Sequence, residues 1–216
     1  MKNVSDRLNR LAESATLAMA RMSRELKAEG HDIIALSLGE PDFDTPQFIK
    51  QAAKQAIDNN FSHYTPVPGL LSLREAICQK FKRDNNLDFT PEQIVTSTGA
   101  KQSLANLCLS LLNPEDEVLL PCPFWVSYAE IIKLAEAIPI EIPSSITSDY
   151  KVSAQQLEAA ITPKTKLLMF SSPCNHSGTF YTQQELEEIA KMLEKYPNIY
   201  IVSDEIYEHI NFTKAH

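Results

Sequence analysis

The chain has 216 residues, of which 44% are hydrophobic, so it is long enough to bury one large core or one domain and part of another. Its 28 Asp and Glu outnumber its 20 Lys and Arg, and the resulting formal charge of -8 predicts neither a nucleic-acid partner nor an anionic lipid surface. Charged residues interrupt every long apolar stretch and the start lacks a signal-peptide core, so we expect no membrane span and a cytoplasmic location.

The first predicted helix covers residues 15–29, where apolar side chains recur at roughly helical spacing. Ser14 is a candidate N-cap for this helix, and Gly30 is a candidate stop. Residues 32–38, DIIALSL, then form a short apolar run that predicts a β-strand ending at Gly39.

Two more helices are predicted before the chain begins to alternate. Thr45 and Pro46 suit the start of a helix that runs to about Asn59, because a hydroxyl can cap a helix and proline is accepted in its first turn. The segment HYTPVPG that follows is too rich in proline to be regular, and another helix is predicted over residues 70–84.

From residue 93 onward, strands alternate with helices. The strands are predicted at QIVTST, EVLLP, AIPIEIP, KLLMFSS and NIYIVSD, and the helix AKQSLANLCLSLL directly follows the first of them. Two later helices start with capping boxes, at Ser153 with Gln156 and at Thr182 with Glu185. This order predicts an α/β fold with a mostly parallel sheet covered on both faces, and sites in such sheets lie at the carboxyl ends of the strands.

Asp204 ends the last of these strands, NIYIVSD, and Tyr207 lies three residues further on. A carboxylate at the edge of a packed sheet needs a partner, because burying it unpaired is costly. One fitting partner is the nitrogen of a pyridine ring, which the carboxylate keeps protonated so that the ring can act as an electron sink. The alternative is that Asp204 only caps the turn after the strand.

Gly99, Ala100 and Lys101 lie between the QIVTST strand and the next helix. Free backbone N–H groups at a helix N-terminus, beside small side chains, suit a phosphate group. An ordinary strand-to-helix turn explains the same residues, which match neither a Walker loop nor the dinucleotide fingerprint.

Trp125 and Asn175 follow the strands EVLLP and KLLMFSS. An indole at a strand end can stack on a flat cofactor ring, although a core position is the usual place for a tryptophan. Asn175 can hydrogen-bond a ring substituent, or it can belong to a polar turn that Pro173 and Gly178 shape. These residues and the two preceding groups all fall at one edge of the predicted sheet. The four cysteines, in contrast, have no paired spacing that would indicate a metal site.

Six motifs occur in an order that resembles the fold-type I, class I aminotransferases of the aspartate aminotransferase kind. They are GEPDFDTP (39–46), HYTPVPG (63–69), TGAKQS (98–103), FWVSY (124–128), the loop around Asn175, and VSDEIYEH (202–209). The resemblance covers the chain from about Ser14 onward and implies the three-layer fold of these pyridoxal-phosphate enzymes. It places residues 1–45 in an N-terminal segment of the small domain and residues 46–216 in the cofactor-binding large domain.

The resemblance implies that pyridoxal 5'-phosphate is the cofactor and that an amino acid and a 2-oxo acid are the substrates, with an aspartate-like donor favoured. Asp204 would pair with the pyridine nitrogen, and Tyr207 and Asn175 would hydrogen-bond the ring oxygen. Trp125 would stack on the ring. Trp125 and Asn175 would also contact the substrate.

The remaining roles that the resemblance implies concern phosphate, carboxylate and subunit contacts. Gly99, Ala100 and Lys101 would lie against the cofactor phosphate. Gly39 would receive the substrate carboxylate through its backbone. Tyr64 would reach the phosphate of a neighbouring subunit, which implies a homodimer.

Two substitutions depart from the family's pattern. His176 follows Asn175 where the family has proline, and losing the proline is expected to leave this loop less fixed. Relatives that accept prephenate-like dicarboxylates tend to have a basic residue where this chain has Ala12 and Glu13, which argues against that activity here.

The family's Schiff-base lysine lies beyond the VSDEIYEH motif, and no lysine of this sequence matches its motif. We therefore expect an N-terminal portion that holds no catalytic residue, has a large-domain sheet incomplete at its C-terminus, and does not transaminate at a useful rate alone. Two alternatives stay open. One is a pyridoxal-phosphate carbon–sulfur lyase, and the other is a non-catalytic, truncated binding module.

Overall fold

The computed structural model describes residues 4–12, 15–36, 39, 41 and 43–210. Backbone contacts group the chain into two compact units, one formed by residues 19–103 and the other by residues 1–18 together with 104–216. The domain boundary predicted at residue 45 stays a prediction. The candidate cap Ser14 lies outside the described residues.

The helices and strands follow one another in the order that the sequence predicts from residue 100 onward. The α-helices are α1 (Asp6–Asn9), α2 (Ala15–Ala28), α3 (Gln47–Asp58), α4 (Leu71–Asn85), α5 (Ala100–Leu111), α6 (Ser127–Leu134), α7 (Ala154–Ala160) and α8 (Gln183–Leu193). Short 3-10 helices occur at Pro91–Gln93 and Ile146–Ser148. The strands are β1 (Glu117–Pro121), β2 (Ile138–Ile142), β3 (Thr165–Ser171) and β4 (Tyr200–Asp204). No helix in the described part of the chain is long and apolar enough to cross a membrane.

Two segments predicted as strands are not strands in the described residues of the 19–103 unit. Residues 32–36 have no strand pairing, and the side chains of Ile34 and Leu36 are 83% and 91% exposed. In the segment QIVTST, the Thr96 N–H donates to the carbonyl of Pro68 at 3.0 Å rather than to a neighbouring strand. Both predictions were wrong for one reason: an apolar run becomes a strand only when another strand takes up its backbone hydrogen bonds.

The start of α3 also differs from the prediction. Pro46 occupies the N-cap position of α3, and no side chain caps the helix there. Thr45 was wrongly predicted as the cap, because Pro46 in the cap position leaves the threonine hydroxyl one residue outside the helix.

The HYTPVPG segment forms a tight loop that requires its glycine. Gly69 has φ +101°, and a Cβ at this position would overlap the Thr96 hydroxyl. The Arg74 guanidinium closes the loop by donating to the carbonyls of Gly69 at 3.2 Å and Pro91 at 2.7 Å. Since only glycine avoids both the clash and the backbone strain, the motif's last residue is fixed by geometry.

The second unit contains a parallel sheet with the strand order β2-β1-β3-β4. Side chains alternate across β1 and β3, which are apolar on both faces. Val118, Leu120, Leu167 and Met169 pack in one hydrophobic cluster with α5 and α6. The intervening Leu119 and Leu168 pack in another cluster with α7 and α8. Successive strand residues point to opposite faces, so helices cover both sides of the sheet. The predicted three-layer α/β fold with a parallel sheet is confirmed.

The capping box of α8 offers a test of local stability. The Thr182 hydroxyl accepts the Glu185 N–H at 3.3 Å, and the Glu185 carboxylate accepts the Thr182 N–H at 2.7 Å. We expect Thr182→Ala to lower the free energy of unfolding by about 1 kcal/mol, because the helix loses a cap for its first N–H groups. Urea titration followed by circular dichroism measures this loss. Thr182→Ser keeps the hydroxyl and is the matched control; an equal loss in both variants would contradict the capping role.

Candidate functional site

Asp204 ends β4 and pairs in register with Ser171, which ends β3. Its Oδ2 accepts a hydrogen bond from the Tyr128 hydroxyl at 2.6 Å, and its Oδ1 accepts the Ile206 N–H at 3.2 Å. The alternative role of Asp204, capping the turn after the strand, therefore involves only its Oδ1. A carboxylate has about four acceptor positions, so these two donors fix its plane and leave it able to accept a cationic N–H group.

Trp125 lies just before α6, partly buried against the cluster that contains Tyr128. The two rings meet edge to face, with centroids 5.6 Å apart and an interplanar angle of 89°. Tyr128 is only 1% exposed, whereas Trp125 is half-buried. The indole therefore packs on the core and also reaches the surface close to the Tyr128–Asp204 hydrogen bond.

Asn175 and Tyr207 come together from different loops. The Asn175 side-chain amide donates to the Tyr207 hydroxyl at 2.6 Å. The loop that holds Asn175 is closed by backbone hydrogen bonds from Cys174 to Thr179 at 2.8 Å and from Gly178 to Cys174 at 3.0 Å. These bonds form with His176 in the position where the family has proline. Asn175 and Tyr207 are thus in direct contact with each other, and their predicted hydrogen bonds to a ring oxygen stay a prediction.

The predicted phosphate residues lie in the 19–103 unit, at the start of α5. Gly99 has φ +95°, which lets the chain turn into the helix that begins at Ala100. Ahead of it, the Thr98 N–H and hydroxyl both donate to the Gln102 side-chain oxygen, at 2.6 and 2.7 Å. Ala100 and Lys101 are exposed in the first turn, where an α-helix presents backbone N–H groups without intrahelical acceptors.

Gly39 and Tyr64 belong to the same 19–103 unit, and both are exposed. The Tyr64 side chain is fully accessible to solvent. An exposed tyrosine can contact a ligand or a partner subunit, as the sequence predicts. That these residues and the start of α5 face the same ligand as Asp204 stays a prediction.

The chain matches the sequence profile of the family "Aminotransferase class I and II" over residues 31–215. It belongs to that family. The resemblance to fold-type I aminotransferases is therefore confirmed.

The individual relatives are named as aminotransferases. The chain is 50% identical over 212 residues to a "Probable aspartate/prephenate aminotransferase" of Rickettsia bellii, covering 98% of this chain and 53% of that protein. It is 46% identical over 212 residues to an "Aspartate/prephenate aminotransferase" of Cereibacter sphaeroides, with the same coverage of 98% and 53%. Among solved structures, the aspartate aminotransferase of Thermus thermophilus with maleate matches with a TM-score of 0.95 and 39% identity, over 100% of this chain and 56% of that one. The chain spans about half the length of the curated relatives that it matches.

Two residues beside Asp204 escaped prediction, Tyr128 and Ser171. Tyr128 is the last residue of the FWVSY motif, and Ser171 lies in the predicted strand KLLMFSS, so both were within recognised segments. The available signal was the FWVSY motif itself, in which Tyr128 lies three residues after Trp125. Nothing local in the sequence indicates that the Tyr128 hydroxyl meets Asp204, which lies 76 residues away.

The Tyr128 hydroxyl gives the stability of this chain an expected pH dependence. Burial, followed by the hydrogen bond and negative charge of Asp204, raises the pKa of Tyr128 well above its usual value. The folded state therefore holds this proton more tightly than the unfolded state. We expect the contribution of Tyr128 to the free energy of unfolding to be constant below about pH 10, the pKa of a free tyrosine, and to fall above it.

Unfolding free energies of the unmodified protein and Tyr128→Phe, measured between pH 8 and 11, test this expectation. The variant lacks the phenol, so its decline above pH 10 should be shallower by up to about 1.4 kcal/mol per pH unit. Parallel curves for the two proteins would show that the tyrosine proton is not held by the fold.

Proposed function

We propose that this chain forms the cofactor-holding part of a pyridoxal-phosphate-dependent aminotransferase that moves an amino group from an aspartate-like donor to a 2-oxo acid. The observation that carries the proposal is the Asp204 carboxylate, held at the end of β4 by Tyr128 and the Ile206 N–H. Its donor set fits a protonated pyridine nitrogen, because it supplies negative charge in a fixed plane with acceptor capacity remaining. The bound cofactor supplies an electron sink for the bond that breaks at the substrate's α-carbon.

The residues around Asp204 are proposed to hold the ring. The Tyr207 hydroxyl accepts from Asn175 and still has a proton to donate, so both side chains can hydrogen-bond one ring oxygen. Trp125 offers an indole for stacking on the ring and for contact with the substrate. Asp204 keeps the ring nitrogen protonated, which makes the ring a stronger electron acceptor.

The residues of the other unit are proposed to hold charged groups. Gly99, Ala100 and Lys101 bind the cofactor phosphate through the N-terminus of α5, where the helix dipole favours an anion. Gly39 receives the substrate carboxylate through its backbone. The exposed Tyr64 reaches the phosphate in a partner subunit, so the proposal includes a homodimer.

The choice of substrate rests on two observations that point in different directions. The printed names of the curated relatives from Rickettsia bellii and Cereibacter sphaeroides include both aspartate and prephenate. This chain has Ala12 and Glu13 where prephenate-accepting relatives tend to have a basic residue. We therefore include the aspartate-like donor in the proposal and leave prephenate as an acceptor for experiment to decide.

The 216 residues on their own are proposed not to transaminate at a useful rate. None of their lysines matches the motif of the Schiff-base lysine, whose amine serves the family as covalent anchor and proton carrier. Measurable binding without turnover by these residues alone would support this proposal. Normal turnover by them would contradict it and would require a different anchor.

The test of the activity is an assay of the protein expressed from its complete gene. It would be supplied with pyridoxal phosphate, 2-oxoglutarate and a panel of amino acids that includes aspartate and cystathionine, and with prephenate as a second acceptor. Glutamate formed from aspartate supports the proposal. Release of pyruvate and ammonia from cystathionine, without glutamate, would identify a carbon–sulfur lyase instead. Cofactor binding with no reaction would identify a non-catalytic module.

A further inference from the structure

A row of three polar side chains, of which two are buried, lies at the end of β3, the start of α6 and the end of β4. The Tyr128 hydroxyl donates to Asp204 Oδ2 at 2.6 Å. The Ser171 side chain lies beside Tyr128 and partly offsets the rise in the pKa of Tyr128. Ser171 is 8% exposed and Tyr128 1% exposed, whereas Asp204 is partly exposed.

The fold holds each member of this row in place. Ser171 and Asp204 are neighbours in the parallel pairing of β3 and β4. Tyr128 lies in the first turn of α6, and its ring packs in the cluster that contains Val118, Leu120 and Met169. A tyrosine buried in this way has little rotational freedom, so its hydroxyl donates to one carboxylate oxygen from a fixed direction.

Packing of the core does not require the hydroxyl groups of Tyr128 and Ser171, because apolar side chains would pack there without the cost of burying a polar group. Phenylalanine has nearly the same shape as tyrosine and needs no hydrogen-bond partner. The Tyr128 hydroxyl, which donates to Asp204, therefore serves the carboxylate, and Ser171 lies beside it.

We propose that Tyr128, oriented by Ser171, is a positioning residue that holds the Asp204 carboxylate towards the ring nitrogen of the cofactor. The inference rests on the proposed function, because it assigns Asp204 a pyridine partner. It predicts that the Tyr128 hydroxyl matters for ligands that have the ring nitrogen and not for ligands that lack it.

The experiment uses two probes with the apoprotein from the complete gene. Pyridoxamine 5'-phosphate has the ring nitrogen, and its 1-deaza analogue carries CH in the same position. Binding of each probe is measured by isothermal titration calorimetry. For Tyr128→Phe we expect about five- to tenfold weaker binding of pyridoxamine phosphate and less than about twofold change for the deaza analogue, the size expected for one lost hydrogen bond.

Two further variants complete the design. Ser171→Ala should show the same preference with a smaller loss, about two- to threefold, since it acts only through Tyr128. Tyr181→Phe is the matched control: this partly buried tyrosine accepts the Val152 N–H at 3.0 Å in the other cluster. Its removal should leave the ratio of the two affinities unchanged.

The outcomes separate the inference from the proposed function. Equal weakening of both ligands by Tyr128→Phe would show a structural role only and would overturn the inference, as would no weakening of either. If Tyr128→Phe fails to fold, as judged by its melting curve, Ser171→Ala decides through the same affinity ratio. If the unmodified protein binds neither probe, the proposed function itself fails.

Discussion

Replacing Asp204 with asparagine is expected to lower kcat/KM for aspartate and 2-oxoglutarate by about 10²–10³-fold in the protein from the complete gene. Asparagine has nearly the same volume, and it can still accept a hydrogen bond from Tyr128. It lacks the negative charge that keeps the ring nitrogen protonated, so the cofactor becomes a poorer electron acceptor. Steady-state kinetics with both substrates measure this loss.

The neighbouring carboxylate provides the control for the Asp204 experiment. Glu205 follows Asp204 directly and bonds to the Ser203 hydroxyl rather than to Tyr128. Glu205→Gln removes the same charge one residue away and should change kcat/KM by less than about threefold, because exposed charges act weakly through water. Equal effects of the two substitutions would show that general charge near the site, and not the placement of Asp204, supports the reaction.

Replacing Leu119 with alanine is expected to lower the free energy of unfolding by about 2–5 kcal/mol. Leu119 is fully buried on β1, which lies between β2 and β3, and it packs in the cluster with Leu157 and Leu168. The substitution leaves a cavity that the strand pairings on both sides prevent from collapsing. Urea-induced unfolding followed by circular dichroism measures the change.

Leu109→Ala is the matched control for Leu119. Leu109 lies on α5 with a 52% exposed side chain, so the same change of residue should alter the free energy of unfolding by less than about 0.5 kcal/mol. A cost below about 1 kcal/mol for Leu119→Ala would contradict the structure's placement of this side chain in a tightly packed interior.

The sequence predicted the strands best where both faces of the sheet are buried. In β1 and β3 the apolar run itself shows that side chains pack on both sides, and the capping boxes mark where α7 and α8 begin. The segments DIIALSL and QIVTST also contain apolar residues but have no described partner strand. Apolar content alone cannot distinguish these two cases, because strand formation depends on a neighbour elsewhere in the chain.

The sequence likewise predicted only part of the candidate site. Asp204, Asn175 and Tyr207 were predicted to lie at one edge of the sheet because each lies at or just after the end of a strand, and parallel strands bring their carboxyl ends together. Tyr128 and Ser171 were not, because their role depends on a hydrogen bond across long sequence separation and on burial. Both residues lie in segments that the sequence analysis singled out, but the sequence does not show that Tyr128 contacts Asp204.

The bond between Tyr128 and Asp204 also has a consequence for how the protein folds. Every strand pairing described in the sheet is parallel, so each requires a long crossover segment to form first. Asp204 meets Tyr128 only after β4 has docked on β3 and α6 has docked on β1, which makes site assembly a non-local event. A ligand that binds this carboxylate binds only the folded chain. It would therefore shift the folding equilibrium towards the folded state.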